Sequence, residues 1–161
     1  MQFEQYRTDE PVDAVVASLS LHHVADPGLV LDRVAAVLKP GGSLVVLEWG
    51  WENLDERTAR WCFRHQLRPA GEPGTWLDSL RTEWAASGLA WEDFCRNWAD
   101  GHGLHQAAAI RRTLAGRFQA RHQSTGPYYF PELADADMAA EQSAIDAGEI
   151  TAGCLRYAGV R

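Results

Sequence analysis

The sequence predicts an α/β fold built around a parallel sheet, and the stretch from Asp13 to Glu48 carries that prediction. Two short apolar runs, from Val15 to Leu21 and from Leu44 to Leu47, flank one amphipathic segment. Neither run alternates apolar with polar residues over its whole length, which favours strands covered on both faces over half-solvated antiparallel strands. Strand, helix and strand make a βαβ unit, whose crossover should be right-handed.

The segment between the two runs has the periodicity of a helix. Its apolar stripe consists of Val30, Leu31, Val34, Ala35, Val37 and Leu38. Asp26 is placed to cap the start of this helix, and Pro27 suits a first helical turn. The segment from Lys39 to Gly42 should end it, because a cation at the negative end is followed by a proline and by two glycines that can adopt positive φ.

The remainder of the chain predicts a helical region and then further strands. Helices are expected over residues 53–67, 75–88, 107–116 and 137–147, and strands over 118–123 and 150–157. Residues 89–100 are ambiguous, because their rings recur at helical spacing but the run is short. Pro69 to Gly74 should interrupt the chain. With 161 residues and no internal repeat or linker, we expect a single domain over 1–161.

Composition narrows the classes of function. The formal charge of −7 argues against a nucleic-acid partner and against an anionic membrane, because both favour a basic face. Three cysteines, odd in number and far apart, favour reduced thiols over structural zinc or a disulfide framework. No signal peptide and no apolar run of about 20 residues is seen, so we expect a cytoplasmic protein.

Several short motifs, in their order and spacing, resemble class I S-adenosylmethionine-dependent methyltransferases. Asp13–Val16, Leu21–Val24 and Leu38–Gly42 with the following strand resemble the family's fourth and fifth strands, and 147–150 with 153–157 resemble its closing strand. The resemblance covers most of the chain. It implies a partial Rossmann-like methyltransferase sheet, the family's fourth to seventh strands with the last one antiparallel, helices on both faces and a helical insertion.

The chain departs from that family at one important place. The family's cofactor cradle is a glycine-rich turn after the first strand, and an acidic residue at the end of the second strand holds the ribose. Neither feature is found in this sequence. Three strands with their crossovers, about 60–90 residues at ~30 per βαβ unit, are absent. We therefore expect a truncated domain that corresponds to the C-terminal portion of the family.

Two adjacent histidines are the candidate catalytic residues. His22 and His23 directly follow the first predicted strand, at the end of the sheet where ligands collect in open α/β folds. A histidine there can contact the methionine part of the cofactor or accept a proton from a substrate nucleophile. The alternative is that one of them packs under the following helix. The resemblance further implies that Ser18, Leu19, Ser20 and His23 line the side that binds S-adenosylmethionine.

Substrate contacts are expected from a second group of residues, Glu48, Trp49, Trp51, His102 and His105. Tryptophan faces can hold an aromatic or cationic group, although such rings more often pack in a core or at its rim. The two later histidines could belong to a substrate pocket or simply to a loop. Four histidines could in principle hold a metal, but no carboxylate or cysteine lies at a recognised ligand spacing, and we predict no metal site.

The sequence leaves two functions open. The first is S-adenosylmethionine-dependent methyl transfer to a small molecule, as the C-terminal part of a methyltransferase. The second is a non-catalytic, methyltransferase-like pairing module that does not bind the cofactor alone. In either case the first strand becomes an edge with an uncovered apolar face. We expect a partner chain, a second copy in a homodimer, or residues 1–12 to cover it.

Overall fold

A computed structural model describes residues 10–67 and 76–161 of the chain. Most of residues 1–12, the interruption at Pro69–Gly74 and the first residue of the helix expected over 75–88 lie outside the described residues. The chain divides into two compact units. The first consists of Met1–Gly50, His102–Thr125 and Cys154–Arg161, and the second of Trp51–Gly101 and Gly126–Gly153. In the described ranges, no helix is both long and apolar enough to cross a bilayer.

The first unit is organised by a sheet with four described strands. They are β1 (Val12–Ser18), β2 (Leu38–Trp49), β3 (Gln119–Gly126) and β4 (Cys154–Val160), in the spatial order β1-β2-β4-β3. β1 runs parallel to β2, with Val16 opposite Val45. β4 runs antiparallel to β2, with Val46 opposite Tyr157. The predicted α/β fold, its parallel pair and its antiparallel last strand are confirmed.

Helix α1 (Pro27–Val37) makes the crossover between β1 and β2 and begins as predicted. Asp26 lies at the cap position in an extended conformation, and its Oδ1 accepts hydrogen bonds from Gly28 N at 2.7 Å and Leu29 N at 3.2 Å. Two of the free N–H groups at the start of the helix are thereby satisfied. Pro27 at the first helical position lacks an N–H that would otherwise need a partner.

The end of this crossover differs from the prediction in detail. β2 begins already at Leu38, opposite Val12, and the next pair is Ser43 with Ala14, so Lys39–Gly42 bulges out opposite a single residue. Gly41 has a φ of 75°, as its position in the predicted turn required. The motif thus ends the helix and also bends the first part of the strand. The periodicity of the sequence predicts where the helix ends, but it does not predict that pairing with β1 begins at Leu38 and resumes after the bulge.

One face of the sheet in the first unit is covered by α1 and by α5 (Ala107–Ala115). The core consists of Leu21, Val30, Leu31, Val34, Leu38, Leu44, Val46, Ile110, Leu114, Phe118 and Tyr157. Ile110 and Leu114 of α5 point inward, and both are fully buried. The opposite face, which we call the open face, carries Val16, Val45 and Leu47; Val16 is 67% exposed and Leu47 37% exposed.

The second unit contains the predicted helical insertion. Its helices are α2 (Glu56–Arg64), α3 (Trp76–Ser87), α4 (Trp91–Gly101) and α6 (Met138–Asp146). The ambiguous run at 89–100 is therefore helical, and its ring spacing was the correct signal. Trp91 is buried and its Nε1 donates to Leu54 O at 2.6 Å. Such a partner is what a buried indole requires.

A buried carboxylate on α6 organises a loop of the second unit. Glu141 is fully buried, and its two oxygens accept hydrogen bonds from Tyr128 N and Phe130 N, both at 2.7 Å. Tyr129, between them, is also fully buried, and a Cβ added to Gly153 would lie 2.8 Å from its ring. Glu141 therefore helps to hold the loop from Tyr128 to Phe130 in place, and the packing of Tyr129 requires a glycine at position 153.

Removing the cap of α1 should destabilise the protein measurably. Asp26→Ala leaves Gly28 N and Leu29 N without their acceptor, and we expect the free energy of unfolding to fall by about 1 kcal/mol. Asp26→Asn keeps a capping oxygen and is the matched control, with little expected change. Chemical denaturation of the three proteins measures the difference. Equal stability of the alanine and asparagine variants would contradict the assigned cap.

Candidate functional site

The candidate site lies where β1 and β2 end side by side. Because the two strands are parallel, their carboxyl ends meet at the same edge of the sheet, where ligands bind in open α/β folds. β1 ends at Ser18, and a 3-10 helix, Leu21–His23, follows it directly. β2 contributes Glu48 and Trp49 as its last two residues. The sequence-predicted catalytic histidines therefore face the end of the neighbouring strand.

At this edge of the sheet, the carboxylate of Glu48 accepts hydrogen bonds from three donors. It is 0% exposed. Its Oε1 accepts hydrogen bonds from Ser20 N at 2.8 Å and Leu21 N at 2.6 Å. Its Oε2 lies 2.5 Å from His22 Nδ1. Three donors converging on two oxygens is the arrangement that suits an ionised, acceptor-only carboxylate.

This contact decides which nitrogen of His22 carries the proton. A carboxylate oxygen accepts, so Nδ1–H donates to Glu48; the neutral tautomer with this proton has its lone pair on Nε2. Among the described residues, Nε2 has no hydrogen-bond partner. His22 is 4% exposed, and the edge of its ring packs on Trp49, with the centroids 6.1 Å apart. The ring is thus oriented, in one tautomer, with a basic nitrogen directed away from Glu48.

His23 differs from His22 in its environment. Its side chain is exposed, and its ring centroid lies 4.2 Å from that of His22. Partial burial lowers the pKa of His23, the neighbouring His22 and His102 lower that pKa further, and Glu48 opposes them. Since the ordinary value is 6.5, His23 is mainly neutral at pH 7. It can therefore also accept a proton, but no carboxylate hydrogen bond fixes its ring.

His105 connects the turn after α4 to the same 3-10 helix. Its backbone N–H donates to His22 O at 2.9 Å, and its Nε2 lies 2.8 Å from Val24 O, to which it donates. Gly103 at a φ of 63° makes the turn that allows this approach. His102 and His105 thus lie near the catalytic candidates in the first unit. Nε2 of His105 is already engaged by the protein, so a substrate contact would use the rest of its ring.

Three of the four residues predicted on the cofactor side form an exposed rim of the site. Ser18, Leu19 and Ser20 are all exposed, and Leu19 has a φ of 49°, which is unusual for a residue with a side chain. Leu19 N donates to Leu47 O at 2.8 Å, and Ser20 N donates to Glu48. These two N–H groups are therefore already used by the protein. The serine hydroxyls and the backbone carbonyls are what this rim can offer a ligand.

Trp51 lies in the second unit, in a 3-10 helix that spans Trp51–Asn53. Its Nε1 is buried and has no hydrogen-bond partner among the described residues. A buried donor without a partner costs about 1–3 kcal/mol. The substrate role of Trp51 remains a prediction.

A metal site finds no support in the described ranges. There, no group of three or more His, Cys, Asp or Glu side chains is placed to hold an ion. Cys62, Cys95 and Cys154 are free thiols. Burial raises the pKa of Cys95 to about 12 and is also the largest cause of the raised pKa values of Cys62 and Cys154, so all three thiols are poor nucleophiles at neutral pH.

Sequence reasoning missed the hydrogen bonds of Glu48, although a signal was present. Leu44, Val46 and Glu48 alternate along β2 and share its covered face. A carboxylate on a covered face must be hydrogen-bonded, and the nearest donors are those at the end of the adjacent parallel strand. The alternation alone therefore indicates a contact with the segment after β1. Its oxygens are taken up by the protein, which favours an orienting role over the predicted substrate contact.

Comparisons with known proteins agree with this fold. Residues 3–46 match a family model described as a methyltransferase domain. An uncharacterized methyltransferase of Mycobacterium tuberculosis is 29% identical over 122 residues, which cover 65% of this chain and 52% of the relative. The chain thus spans about half the length of the curated relatives it matches.

Solved structures extend the similarity to the whole chain. The N-methyltransferase NodS from Bradyrhizobium japonicum WM9, in complex with S-adenosyl-L-homocysteine, aligns with 100% of this chain and 52% of its own, at 15% identity and a TM-score of 0.51. A Haloferax volcanii methyltransferase, solved with the Trm112 activator, aligns with 99% of this chain and 59% of its own, at 17% identity and a TM-score of 0.52. The predicted resemblance to class I methyltransferases is confirmed, and the pairing-module alternative is not favoured.

Proposed function

We propose that this chain, which is similar in sequence and fold to class I S-adenosylmethionine-dependent methyltransferases, forms the C-terminal part of an enzyme that methylates a small molecule. One observation carries the proposal beyond the family. At the end of two parallel strands, a fully buried carboxylate holds a histidine in the tautomer that leaves Nε2 free to accept a proton. Such an oriented base is what a neutral nucleophile needs when it gains a methyl group.

His22 is the proposed base and Glu48 its positioning residue. As the acceptor atom of the substrate gains the methyl group, its proton passes to His22 Nε2. The imidazolium that results is stabilised by the carboxylate 2.5 Å from Nδ1. His23, with its lowered pKa, lies at the exposed side of this pair and can contact substrate or cofactor. General bases of this kind contribute about 10²–10⁴-fold to a rate.

S-adenosylmethionine would supply the electrophilic methyl group, carried on its sulfonium. The described residues suit only one end of that molecule. The hydroxyls and carbonyls of Ser18, Leu19 and Ser20 offer polar contacts for the methionine part, whereas the glycine-rich turn expected to hold the rest is absent from the sequence. We therefore expect this chain alone to bind the cofactor weakly, in the millimolar range.

The methyl acceptor is proposed to be a small molecule with an aromatic or cationic group. The net charge of −7 disfavours nucleic acid. Trp49, His102 and His105 of the first unit remain our proposed substrate contacts. NodS is an N-methyltransferase, which is consistent with an acceptor that must lose a proton to a base.

The proposal is tested by the tautomer of His22. In Glu48→Gln, the amide oxygen should stay with the two backbone donors, so the NH₂ group faces His22 Nδ1 and converts that nitrogen into an acceptor. We expect long-range ¹H–¹⁵N NMR to show the proton on Nδ1 in the wild type and on Nε2 in the variant. The exposed His122 provides an internal reference that should not change.

Titration with S-adenosylmethionine completes the test. Amide shifts should appear at residues 18–23, and not along α6. A wild-type His22 protonated at Nε2 would contradict the base, and the absence of shifts at residues 18–23 at several times the expected millimolar dissociation constant would contradict the cofactor role.

A further inference from the structure

The 3-10 helix that contains His22 depends on other parts of the chain for its position. It spans three residues, Leu21–His23, and the hydrogen bond from His23 N to Ser20 O that closes it is long, at 3.2 Å. Short 3-10 segments have poor hydrogen-bond geometry of their own. The backbone groups that this bond leaves over need other partners, so those partners determine where the ring of His22 is placed.

These partners come from two residues on opposite sides of the helix. Glu48 accepts hydrogen bonds from two backbone N–H groups at the start of the helix, at 2.8 and 2.6 Å. His105 serves the carbonyl side. Its backbone N–H donates to His22 O at 2.9 Å, and its Nε2 donates to Val24 O at 2.8 Å. The segment that contains His22 is therefore fixed at its N–H groups by one side chain and at its carbonyl groups by His105.

His105 is itself held by the core of the first unit. Helix α5 begins two residues later, at Ala107, and its Ile110 and Leu114 are fully buried. Both belong to the same apolar cluster as Leu21 of the 3-10 helix. A side chain can position another group precisely when its own support is rigid, and a packed helix supplies that support.

We propose that His105 is a second positioning residue for His22. Glu48 acts on the ring, because its contact with Nδ1 fixes the tautomer and the direction of the imidazole. His105 acts on the peptide from which that ring extends. Together they keep Nε2 of His22 in one place. This role rests on the proposed function of His22 as the base, and it is significant because a displacement of about 1 Å can lower a rate by about 10²-fold.

The contact with Val24 also defines the protonation of the His105 ring. A carbonyl oxygen accepts, so Nε2 of His105 carries a proton, and the neutral ring has its lone pair on Nδ1. His22 has the opposite arrangement, with its proton on Nδ1. The two histidines are therefore distinguishable in one long-range ¹H–¹⁵N NMR spectrum. Nδ1 of His105 stays available for the substrate contact proposed above.

The test compares two substitutions of His105 in the complete chain. His105→Leu removes the donor to Val24 O, whereas His105→Gln keeps an N–H donor at a similar reach. Gln106→Ala is the control, because Gln106 is exposed and its side chain makes no capping hydrogen bond. Hydrogen exchange of the residue 105 amide and NMR relaxation dispersion at residues 22–24 measure how firmly the segment is held.

We expect the leucine variant to exchange its residue 105 amide about tenfold faster than the wild type and to show microsecond-to-millisecond motion at residues 22–24. The proton of His22 should stay on Nδ1, since Glu48 is unchanged. The glutamine variant should exchange within about twofold of the wild type, and the control should not differ from it. Exchange at Ile110 and Leu114 should also be unchanged, which separates loss of positioning from general loosening of α5.

Three results would overturn the inference. The first is a wild-type His105 with its proton on Nδ1 instead of Nε2. The second is a leucine variant with wild-type exchange and no added motion. The third is a glutamine variant as mobile as the leucine variant, and this comparison with the wild type still decides if the leucine variant does not fold. A wild-type His22 protonated at Nε2 would instead remove the proposed base, and the measurements at residue 105 would be unaffected by that failure.

Discussion

Replacing Glu48 by alanine is expected to lower the free energy of unfolding by about 3–5 kcal/mol. The side chain is fully buried and accepts hydrogen bonds from Ser20 N, Leu21 N and His22 Nδ1. Its removal leaves these donors near or below the protein surface without their acceptor, and each unsatisfied buried donor costs about 1–3 kcal/mol. The loss is measured by denaturant titration followed by far-ultraviolet circular dichroism.

Two variants set the scale of that measurement. Glu56→Ala removes an exposed carboxylate whose described partner is Arg60, one turn further along α2, and should change stability by less than about 1 kcal/mol. Glu48→Gln keeps the side-chain volume and one accepting oxygen. Its free energy of unfolding should therefore lie between those of Glu48→Ala and Glu56→Ala. If Glu48→Ala were as stable as Glu56→Ala, the hydrogen bonds assigned to Glu48 would be wrong.

The second large effect is expected at Glu141 in the other unit. Glu141→Ala should lower the free energy of unfolding by about 2–5 kcal/mol, because Tyr128 N and Phe130 N each lose a 2.7 Å hydrogen bond to a buried carboxylate. The loop these donors belong to carries the fully buried Tyr129, so its packing should loosen as well. Hydrogen exchange of the Tyr128 and Phe130 amides reports the local change directly.

Glu149→Ala is the matched control for Glu141→Ala. Glu149 is exposed and lies just after α6, so its removal should change stability by no more than about 0.5 kcal/mol. Unchanged exchange at Tyr128 and Phe130 in Glu141→Ala would show that the loop is held by other contacts.

The βαβ unit could be predicted because its elements satisfy local rules. The stripe on α1 follows the helical period and Asp26 caps the helix, so neither depends on distant parts of the chain. Boundaries were less predictable. Leu21 was expected at the end of a strand but lies in a 3-10 helix, because Ser20 N and Leu21 N turn toward Glu48 rather than continue the ladder.

The location of the candidate site could be predicted from the sequence, but the hydrogen bonds between its residues could not. The parallel arrangement brings Ser18–His23 and Glu48–Trp49 to one edge, and the sequence indicated both groups. The roles of these residues depend on which atoms are in contact. The sequence alone does not predict that His22 Nδ1 lies 2.5 Å from Glu48 Oε2. The unsatisfied indole of Trp51 is similar, since it is defined by surroundings that come from elsewhere in the fold.

The contact between Glu48 and the residues after β1 also has a consequence for folding. Side chains alternate along β2, so a slip of one residue against β1 would turn Leu47 inward and Glu48 toward water. Valine and leucine alternate along β2, so exchanging their positions costs little packing energy. A misplaced Glu48, in contrast, would leave its three hydrogen-bond donors without their acceptor. Glu48, the proposed positioning residue of His22, therefore also favours the correct alignment of β2 with β1, and this preference requires no ligand.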